Sequence, residues 1–328
     1  ARGQTEGIFQ FESSGMKQML MNLKPTKLEH LIAANSLYRP GPAKQIDTFV
    51  ENSHNPEKVH YSTPLLKPIL EDTFGCIVYQ EQVMQILRAL ADYSYGRADN
   101  VRRAMSKKKK DVMEAERVTF IEGCAEKGIS EHIANDIFDQ IADFEKYAFN
   151  KSHAAAYAVI AYQTAYLKYY YPVEFMAALM TSVIDNSSKV SEYIYACRQM
   201  KIPILAPDVN ESEGGFSVSN GGIRYGMSAV KSVGKSVVQE IVKERTKGGA
   251  FLSLSDFIHR MNGKEVNKRT VENLIKAGAF DSLEGTRKKK IAVFAAMIES
   301  VTQEKKKTIE GQLSLFDLVS EEEKQNYQ

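Results

Sequence analysis

Between Ile77 and Ser94 the apolar positions fall three and four residues apart. Val83, Ile86, Leu87 and Leu90 therefore line one face of a helix. The same spacing recurs in "EHIANDIFDQIADF", where Ile133, Ile137, Phe138 and Ile141 form a stripe behind a Ser130 cap. "SSGMKQMLMNL" and "TKLEHLIAANSLY" predict two shorter amphipathic helices separated by Pro25, and Pro40 and Pro42 stop the second. Thr63-Pro64 predicts the cap and first turn of a helix to about Leu70, and "GRADNVRRAM" is another helix start. The longest apolar stretch runs from Phe149 to Ile184, and Pro172 divides it into two helices. In its first half Ala155, Val159, Tyr162 and Tyr166 share a face. Base rates of burial assign that face to the core, with a ligand-stacking surface as the alternative. "KVSEYIYACRQM" predicts a further helix.

The texture changes after residue 201. "IPILAPDVNESEGGFSVSNGGIRYGM" is rich in Pro, Gly, Asn and Ser, and predicts a linker and then a short hairpin turned by Asn220-Gly221. Residues 228–283 return to short helices with tight glycine turns. From 284 onward, "RKKK", "QEKKK" and "EEEK" predict a flexible charged tail. The expected fold is mainly α: a multi-helix domain over 1–207, a small helical domain with a short β-hairpin over 208–283, and a tail over 284–328. No long-period repeat interrupts this plan.

Composition narrows the function classes. The chain has 328 residues, with 43 Lys and Arg against 41 Asp and Glu, so its net charge is only +2. Any basic patch must be local. Cys76, Cys124 and Cys197 are far apart and form no CxxC, which argues against a zinc site or a disulfide framework. No run of 18 apolar residues predicts a membrane span. The chain opens in mid-pattern with "ARGQTEGIFQFESSGM" and reads as a piece cut from something larger.

Several stretches could carry chemistry. There is no GxxxxGK[ST], GxSxG, HExxH or DxD, so metal-assisted catalysis by this chain alone is not expected. "VRRAMSKKKK" (101–110) places Arg103, Lys107 and Lys110 on one helical stripe with Arg102 beside it. Arginine forks grip phosphate, but Asp99 lies three and four residues before the two arginines, and the run can equally be a solvated face. In "AFNKSHAAAYA", Asn150, Lys151, Ser152 and His153 gather at a helix start, where free N–H groups suit an anion. A plain cap by Asn150 or Ser152 is the competing account. "AVKSVGKSVVQEIVKERTKGGAF" (229–251) has the pattern of a helix-hairpin-helix, whose turn Ser232-Val233-Gly234-Lys235 would offer backbone N–H groups to DNA phosphate. Ser232 stands where the usual pattern has the first of two glycines. "NKRTVENLIKAGAF" reads as a degenerate second copy beginning at Lys268 and Arg269. In the tail, "IEGQLSLFDL" sets Gln312, Leu313, Ser314, Leu315 and Phe316 as an apolar block among charges, fit for a partner's pocket or for docking on its own domain.

These motifs occur together, in this order, in one family. The chain resembles the bacterial C-family replicative polymerases, the alpha subunits of DNA polymerase III. The likeness is carried by "GIFQFESSGM", "LYRPGP", "VYQEQVMQI", "RADNVRRAM", "FNKSHAAAYAVIAYQTAYLK", "YPVEFMAALMTS", "PDVNES", "NKRTVENLIKAGAFDSL" and "GQLSLF", which together span nearly the whole chain. The resemblance implies a fingers domain, a tandem helix-hairpin-helix domain and a sliding-clamp-binding segment. It implies that Arg102 and Arg103 contact the triphosphate of an incoming dNTP, supplemented by Lys107 and Lys108. Asn150, Lys151 and His153 would line the same site, with Arg39 of "LYRPGP" as a further candidate. Ser232, Val233, Gly234, Lys235, Lys268 and Arg269 would meet duplex DNA, and Gln312 to Phe316 the clamp. The family's metal-binding palm is not among these segments. The fragment is expected to bind no cofactor, Mg2+ being implied for the parent polymerase. Expected partners are primer-template DNA, dNTP, the sliding clamp and other replisome subunits, with no membrane, in the bacterial cytoplasm at the nucleoid. Ser106 and Ala148 stand where the family often has glycine. Two other readings remain: a non-enzymatic DNA-binding adaptor that recruits a clamp, and a helical phosphate-binding enzyme with His153 as base, for which no orienting carboxylate is identifiable.

Overall fold

A computed structural model describes residues 2–39, 42–106, 110–145, 149–264 and 266–307. The chain divides into two compact units, Ala1–Tyr169 and Tyr170–Gln328. The architecture is mainly α, as the apolar periodicity predicts.

The first unit carries α1 (Ser14–Leu23), α2 (Leu28–Leu37), α3 (Ile46–His54), α4 (Lys67–Leu70), α5 (Gln80–Ala91), α6 (Tyr95–Ser106), α7 (Lys110–Glu126), α8 (Glu131–Glu145) and α9 (Lys151–Tyr170). Val83, Ile86, Leu87 and Leu90 of α5 are all fully buried, in a core shared with Ile137, Phe138 and Ile141 of α8. Ser130 caps α8 by accepting from the Ile133 N–H at 3.4 Å. Gly123 lets α7 approach α5 closely, since a Cβ there would lie 2.8 Å from the Ala91 backbone. Thr63 makes no side-chain cap: Pro64–Leu66 is a 3-10 turn leading into the four residues of α4.

Helix α9 departs from expectation. Its buried positions are Ala154, Ala158, Ala161 and Lys168, while Val159, Tyr162 and Tyr166 are exposed. The alanines join a second core with Phe11, Met16, Leu20, Leu23, Val78 and Tyr79. A helix apolar all round has no face that periodicity can select. Small side chains admit the closest neighbours, and the bulky tyrosines are left outside. Lys168 is buried because its ammonium donates to the carbonyls of Gln4 and Glu6 at 3.1 and 2.8 Å.

The second unit carries α10 (Pro172–Ser182), α11 (Ser187–Gln199), β1 (Ile204–Leu205), β2 (Ser217–Ser219), β3 (Gly222–Arg224), α12 (Lys235–Gly248), α13 (Leu254–Met261), α14 (Lys268–Ala277) and α15 (Arg287–Lys307). Pro172 opens α10, as its position predicts. The hairpin forms with Ser217 opposite Arg224 and Ser219 opposite Gly222. Its turn residues, Asn220 and Gly221, both have positive φ, the conformation two-residue hairpins need. β1 adds a parallel strand, pairing Ile204 with Ile223. Phe257, Phe280, Leu274 and Ile241 centre the helical core.

The stretch from 284 is not a tail at its start. Residues 287–307 form α15, whose Phe294 and Val301 are buried in that core. Apolar residues three and four apart, Ile291, Phe294, Ile298 and Val301, outweigh the flanking charges.

Three carboxylates of this unit are held below their ordinary values. Glu244 is lowered by the hydrogen bond from Lys264 and then that from Arg260, Asp281 by that from Arg287, and Glu299 by that from Lys268. A lowered native value means the charged form is favoured in the fold, so its stabilisation is complete above the unfolded value. The unit should therefore lose stability as pH falls through the ordinary carboxylate range, near 4.5 for glutamate and 3.8 for aspartate. Thermal unfolding across that range should show a shallower decline for Glu244→Gln than for the parent chain; equal slopes would count against this account.

Candidate nucleotide and DNA interface

The first unit brings together residues far apart in sequence. The backbone N–H of Gln80, at the start of α5, donates to the Phe149 carbonyl at 2.9 Å, just before α9. Tyr79 and Phe149 pair as an isolated parallel bridge. Gln82 fixes this approach: its side-chain oxygen accepts from the N–H groups of Val78 and Tyr79, at 2.8 and 3.0 Å. Its amide nitrogen donates to Thr73 at 2.8 Å. The two helix starts thus lie side by side.

Basic and aromatic groups surround that bridge. Arg39 places its guanidinium 3.8 Å over the Phe149 ring. The Lys151 ammonium lies 5.3 Å over Tyr79. His153 packs between Phe149 and Tyr157, at ring separations of 5.5 and 4.3 Å. Arg102 of α6 reaches Gln80 Oε1 at 3.5 Å. Arg39, Arg102, Lys151 and His153 therefore converge through Tyr79, Gln80 and Phe149. Arg103 follows Arg102 on α6, with its side chain two-thirds exposed.

At the start of α9 the N–H groups of Lys151, His153 and Ala154 already have partners within the chain. Asn150 Oδ1 accepts from the His153 N–H at 3.0 Å and from the Ser152 hydroxyl. Both carboxylate oxygens of Glu81 face the Lys151 N–H, at 3.2 and 3.1 Å. Asn150 is thus a capping residue. What the cluster offers an incoming anion is side-chain charge from Arg39, Arg102, Arg103 and Lys151. Lys107 and Lys108 lie outside the described residues, as do Gln312, Leu313, Ser314, Leu315 and Phe316.

Asp99 governs the two arginines. Its Oδ1 accepts from Arg102 Nε at 2.8 Å and Nη2 at 2.7 Å, and its Oδ2 from Arg103 Nε at 2.7 Å. The hydrogen bond from Arg102 is the largest of the contributions that hold its carboxyl below the usual aspartate value.

The residues singled out by sequence did not include Tyr79, Gln80, Glu81 or Phe149. Phe149 directly precedes the "NKSH" cluster, and "YQE" opens a strongly amphipathic helix, so both lay beside a signal. The pairing between them spans 70 residues and leaves no local pattern.

In the second unit the turn before α12 takes the form its glycine suggests, with one difference. The leading element is a single 3-10 turn, Met227–Ala229, where the sequence predicted a helix. Ser232 adopts a left-handed conformation, φ 63°. That conformation is cheap only for glycine, which explains the glycine usual at this place. Val233 is buried and anchors the turn through its N–H to Val230 O at 3.1 Å. Gly234 precedes α12, whose N-terminus no side chain caps. Lys235 makes an exposed pair with Asp185 at 3.3 Å, a contact weak enough to exchange for phosphate. The second copy differs: Asn267 caps α14 by accepting from the Thr270 N–H at 2.9 Å, and Lys268 is paired with Glu299. Arg269 is exposed.

Residues 1–128 match the finger domain of the bacterial DNA polymerase III alpha subunit, and residues 201–290 match a helix-hairpin-helix motif. The molecule is thus of the class that joins a polymerase finger domain to a helix-hairpin-helix module. It is 46% identical over 319 residues to DNA polymerase III subunit alpha of Chlamydia muridarum, covering 97% of this chain and 26% of that protein. The Thermus aquaticus protein of the same name is 45% identical over 326 residues, 98% of this chain and 27% of its own. That of Bacillus subtilis is 47% identical over 299 residues, 91% and 27%. The chain belongs to the bacterial DNA polymerase III alpha-subunit family, and spans about a quarter of the length of these relatives. Among the described residues no helix is long and apolar enough to cross a membrane.

Proposed function

We propose that the first unit binds the triphosphate of an incoming deoxynucleotide during template-directed DNA synthesis. The observation that carries this reading is the convergence of Arg39, Arg102 and Lys151 around the Tyr79–Phe149 bridge, with Arg103 beside Arg102. In the parent reaction the primer 3′-hydroxyl attacks the α-phosphate in line and pyrophosphate leaves. Cationic forks stabilise the charge that gathers on the transferring group and on the leaving group. His153, packed between two rings, shapes the site rather than moving a proton. Lys107 and Lys108 would add charge from the same helical run.

The second unit would hold duplex DNA through phosphate contacts at Ser232, Val233, Gly234 and Lys235, without reading bases. The α14 start, with Lys268 and Arg269, is the lesser contact because Asn267 already caps it. Mg2+ belongs to the parent reaction. Among the described residues no three His, Cys, Asp or Glu side chains gather as a metal site, so these residues do not fit the ion and no step runs through it. The setting is the replisome, in the bacterial cytoplasm at the nucleoid.

Replacement of both Arg102 and Arg103, followed by titration with tripolyphosphate, tests the nucleotide reading. Gln312 to Phe316 would engage a sliding clamp: calorimetry should show saturable binding that Leu315→Ala with Phe316→Ala abolishes. Equal binding by parent and variant would assign the clamp contact elsewhere. Clamp and DNA binding without triphosphate binding would leave the adaptor reading.

A further inference from the structure

We propose that a cavity beside the helix-hairpin-helix turn binds a small amphipathic anion, an apolar body with one acidic head, and that this ligand competes with DNA for Lys235. The site stands on the cavity itself; the competition rests on the reading that Lys235 meets DNA phosphate.

The cavity lies wholly within the second unit and has a volume of about 480 Å³. Small-molecule sites occupy roughly 300–1,000 Å³. One face of α12 forms a wall. Lys235, Val238, Gln239 and Val242 stand at i, i+3, i+4 and i+7, so they follow one another along that face. Ile184, just past α10, and Gly214, in the loop before β2, also line the cavity. Ile184, Val238 and Val242 make these walls apolar. The hydroxyl of Thr181, a further lining residue, is already engaged: it donates to the Ala177 carbonyl at 2.8 Å and accepts from the Phe216 N–H at 2.9 Å. Water against such walls is released when an apolar body takes its place.

The charges suit an acidic head. Lys235 and Lys243 are the lining cations and Glu213 the lining carboxylate. Glu213 is held by Arg245 at 2.6 Å, and Arg245 is itself fixed on the carbonyls of Val209 and Ser212. The two lysines are held more loosely. Lys235 meets Asp185 at 3.3 Å and Lys243 meets Glu240 at 3.5 Å, with both lysine side chains two-thirds exposed or more. Pairs this exposed contribute little and exchange readily. An ammonium also has three N–H donors, so a lysine can take a second anion beside its carboxylate. Among the described residues, the N–H groups of Gly214 and Gly215 have no acceptor. The head therefore belongs at the Lys235 end, by the start of α12, with the body along Val238 and Val242. Lys235 is also part of the turn that would hold phosphate. A head bound there uses the same donors, so ligand and duplex weaken each other's binding by the same factor.

The probe is anilinonaphthalene sulfonate, an apolar aromatic body with one sulfonate, whose fluorescence rises in apolar surroundings. Titrated against the chain, it should saturate one tight site. Phenylnaphthylamine, the same body without the sulfonate, should bind about tenfold more weakly, the effect of one charge-assisted hydrogen bond. Gly214→Leu should abolish the tight site by filling the cavity. A Cβ there meets Ser228 Oγ at 3.4 Å and Val238 Cγ1 at 3.8 Å, both ordinary contacts with lining residues. Two milder variants keep the test decisive if that one fails to fold. Gln239 is exposed on α12, and glutamate and lysine are equally good helix formers. Gln239→Glu should weaken sulfonate binding about threefold and Gln239→Lys strengthen it about threefold, with the neutral probe unchanged. A mixed-sequence DNA duplex should displace the sulfonate probe from the parent chain. Equal sulfonate binding by the parent, Gly214→Leu and Gln239→Glu would overturn the site. Equal affinity for the two probes would overturn the acidic head. A labelled duplex that binds without displacing the probe would overturn the competition. If the duplex does not bind the chain at all, the DNA reading fails and the competition with it, whereas sulfonate binding that Gly214→Leu abolishes still upholds the site.

Discussion

Replacing Arg102 and Arg103 together with alanine is expected to weaken tripolyphosphate binding about a hundredfold while leaving the fold intact. The expectation follows from the strength of the contacts and from what they cost to remove. A hydrogen bond to a charged partner contributes about 1.5–3 kcal/mol. Two such forks on one polyphosphate, losing part of their effect to solvent because Arg103 is largely exposed, give a loss near 2.8 kcal/mol, or about a hundredfold. The structural cost is small. Asp99 loses both partners, but it is partly exposed and can be hydrated, and alanine is the best helix former. The melting temperature should therefore stay close to that of the parent chain. Arg97→Ala is the control. Arg97 lies on the same helix but pairs with Glu116 and packs on Tyr93, so its loss should leave tripolyphosphate affinity unchanged. An unchanged affinity in the double variant would remove α6 from the anion site. A loss matched by Arg97→Ala would mean only that net charge matters. Salt should narrow the difference, since screening weakens what the exposed cations contribute.

The basic groups of this cluster were legible in the sequence because charge and spacing are local. Three and four residues separate Asp99 from its arginines, and that fixes the contact on any helix. α5 was legible for a similar reason: its polar and apolar faces differ, and Val83, Ile86, Leu87 and Leu90 are all buried. Asn220-Gly221 demanded a hairpin, and Pro172 demanded a break. What was not legible lay in two kinds of place. The first is contact across a long separation: Tyr79 meets Phe149, and Glu81 meets Lys151, with no repeating pattern to announce either. The second is a helix whose faces look alike. On α9 size decides what polarity cannot, so the alanines turn inward and the tyrosines outward. The finger cluster combines both, being legible in its charges and hidden in its aromatic floor.

The run "RKKK" shows how a charged residue can belong to a core. Lys288 and Lys289 are exposed, as a tail would have them. Lys290 is 3% exposed, and its ammonium donates to three backbone carbonyls: Phe280 at 2.7 Å, Leu283 at 2.8 Å and Gly285 at 2.6 Å. These carbonyls belong to the loop between α14 and α15, and that of Phe280 also accepts from the Leu283 N–H at 3.0 Å. One side chain thus closes the loop and seats α15 on the helical core. Lys290→Ala should cost roughly 2–4 kcal/mol, because it removes the donor shared by three loop carbonyls, of which Phe280 keeps a partner and Gly285 is exposed, and leaves a void. Denaturant unfolding of the chain measures this directly. Lys290→Met separates the causes: it restores most of the volume but no donor, so it should recover less than half of the loss. Lys289→Ala, one residue away and in solvent, should fall within about 0.5 kcal/mol of the parent. A Lys290→Met variant as stable as the parent would show that packing, not donation, holds the loop. A Lys290→Ala variant equal to Lys289→Ala would return residues from 284 onward to the status of a tail. Under the expected result α15 is part of the helix-hairpin-helix unit, and its anchor is the lysine that the sequence pattern had set among the most solvent-loving residues of the chain.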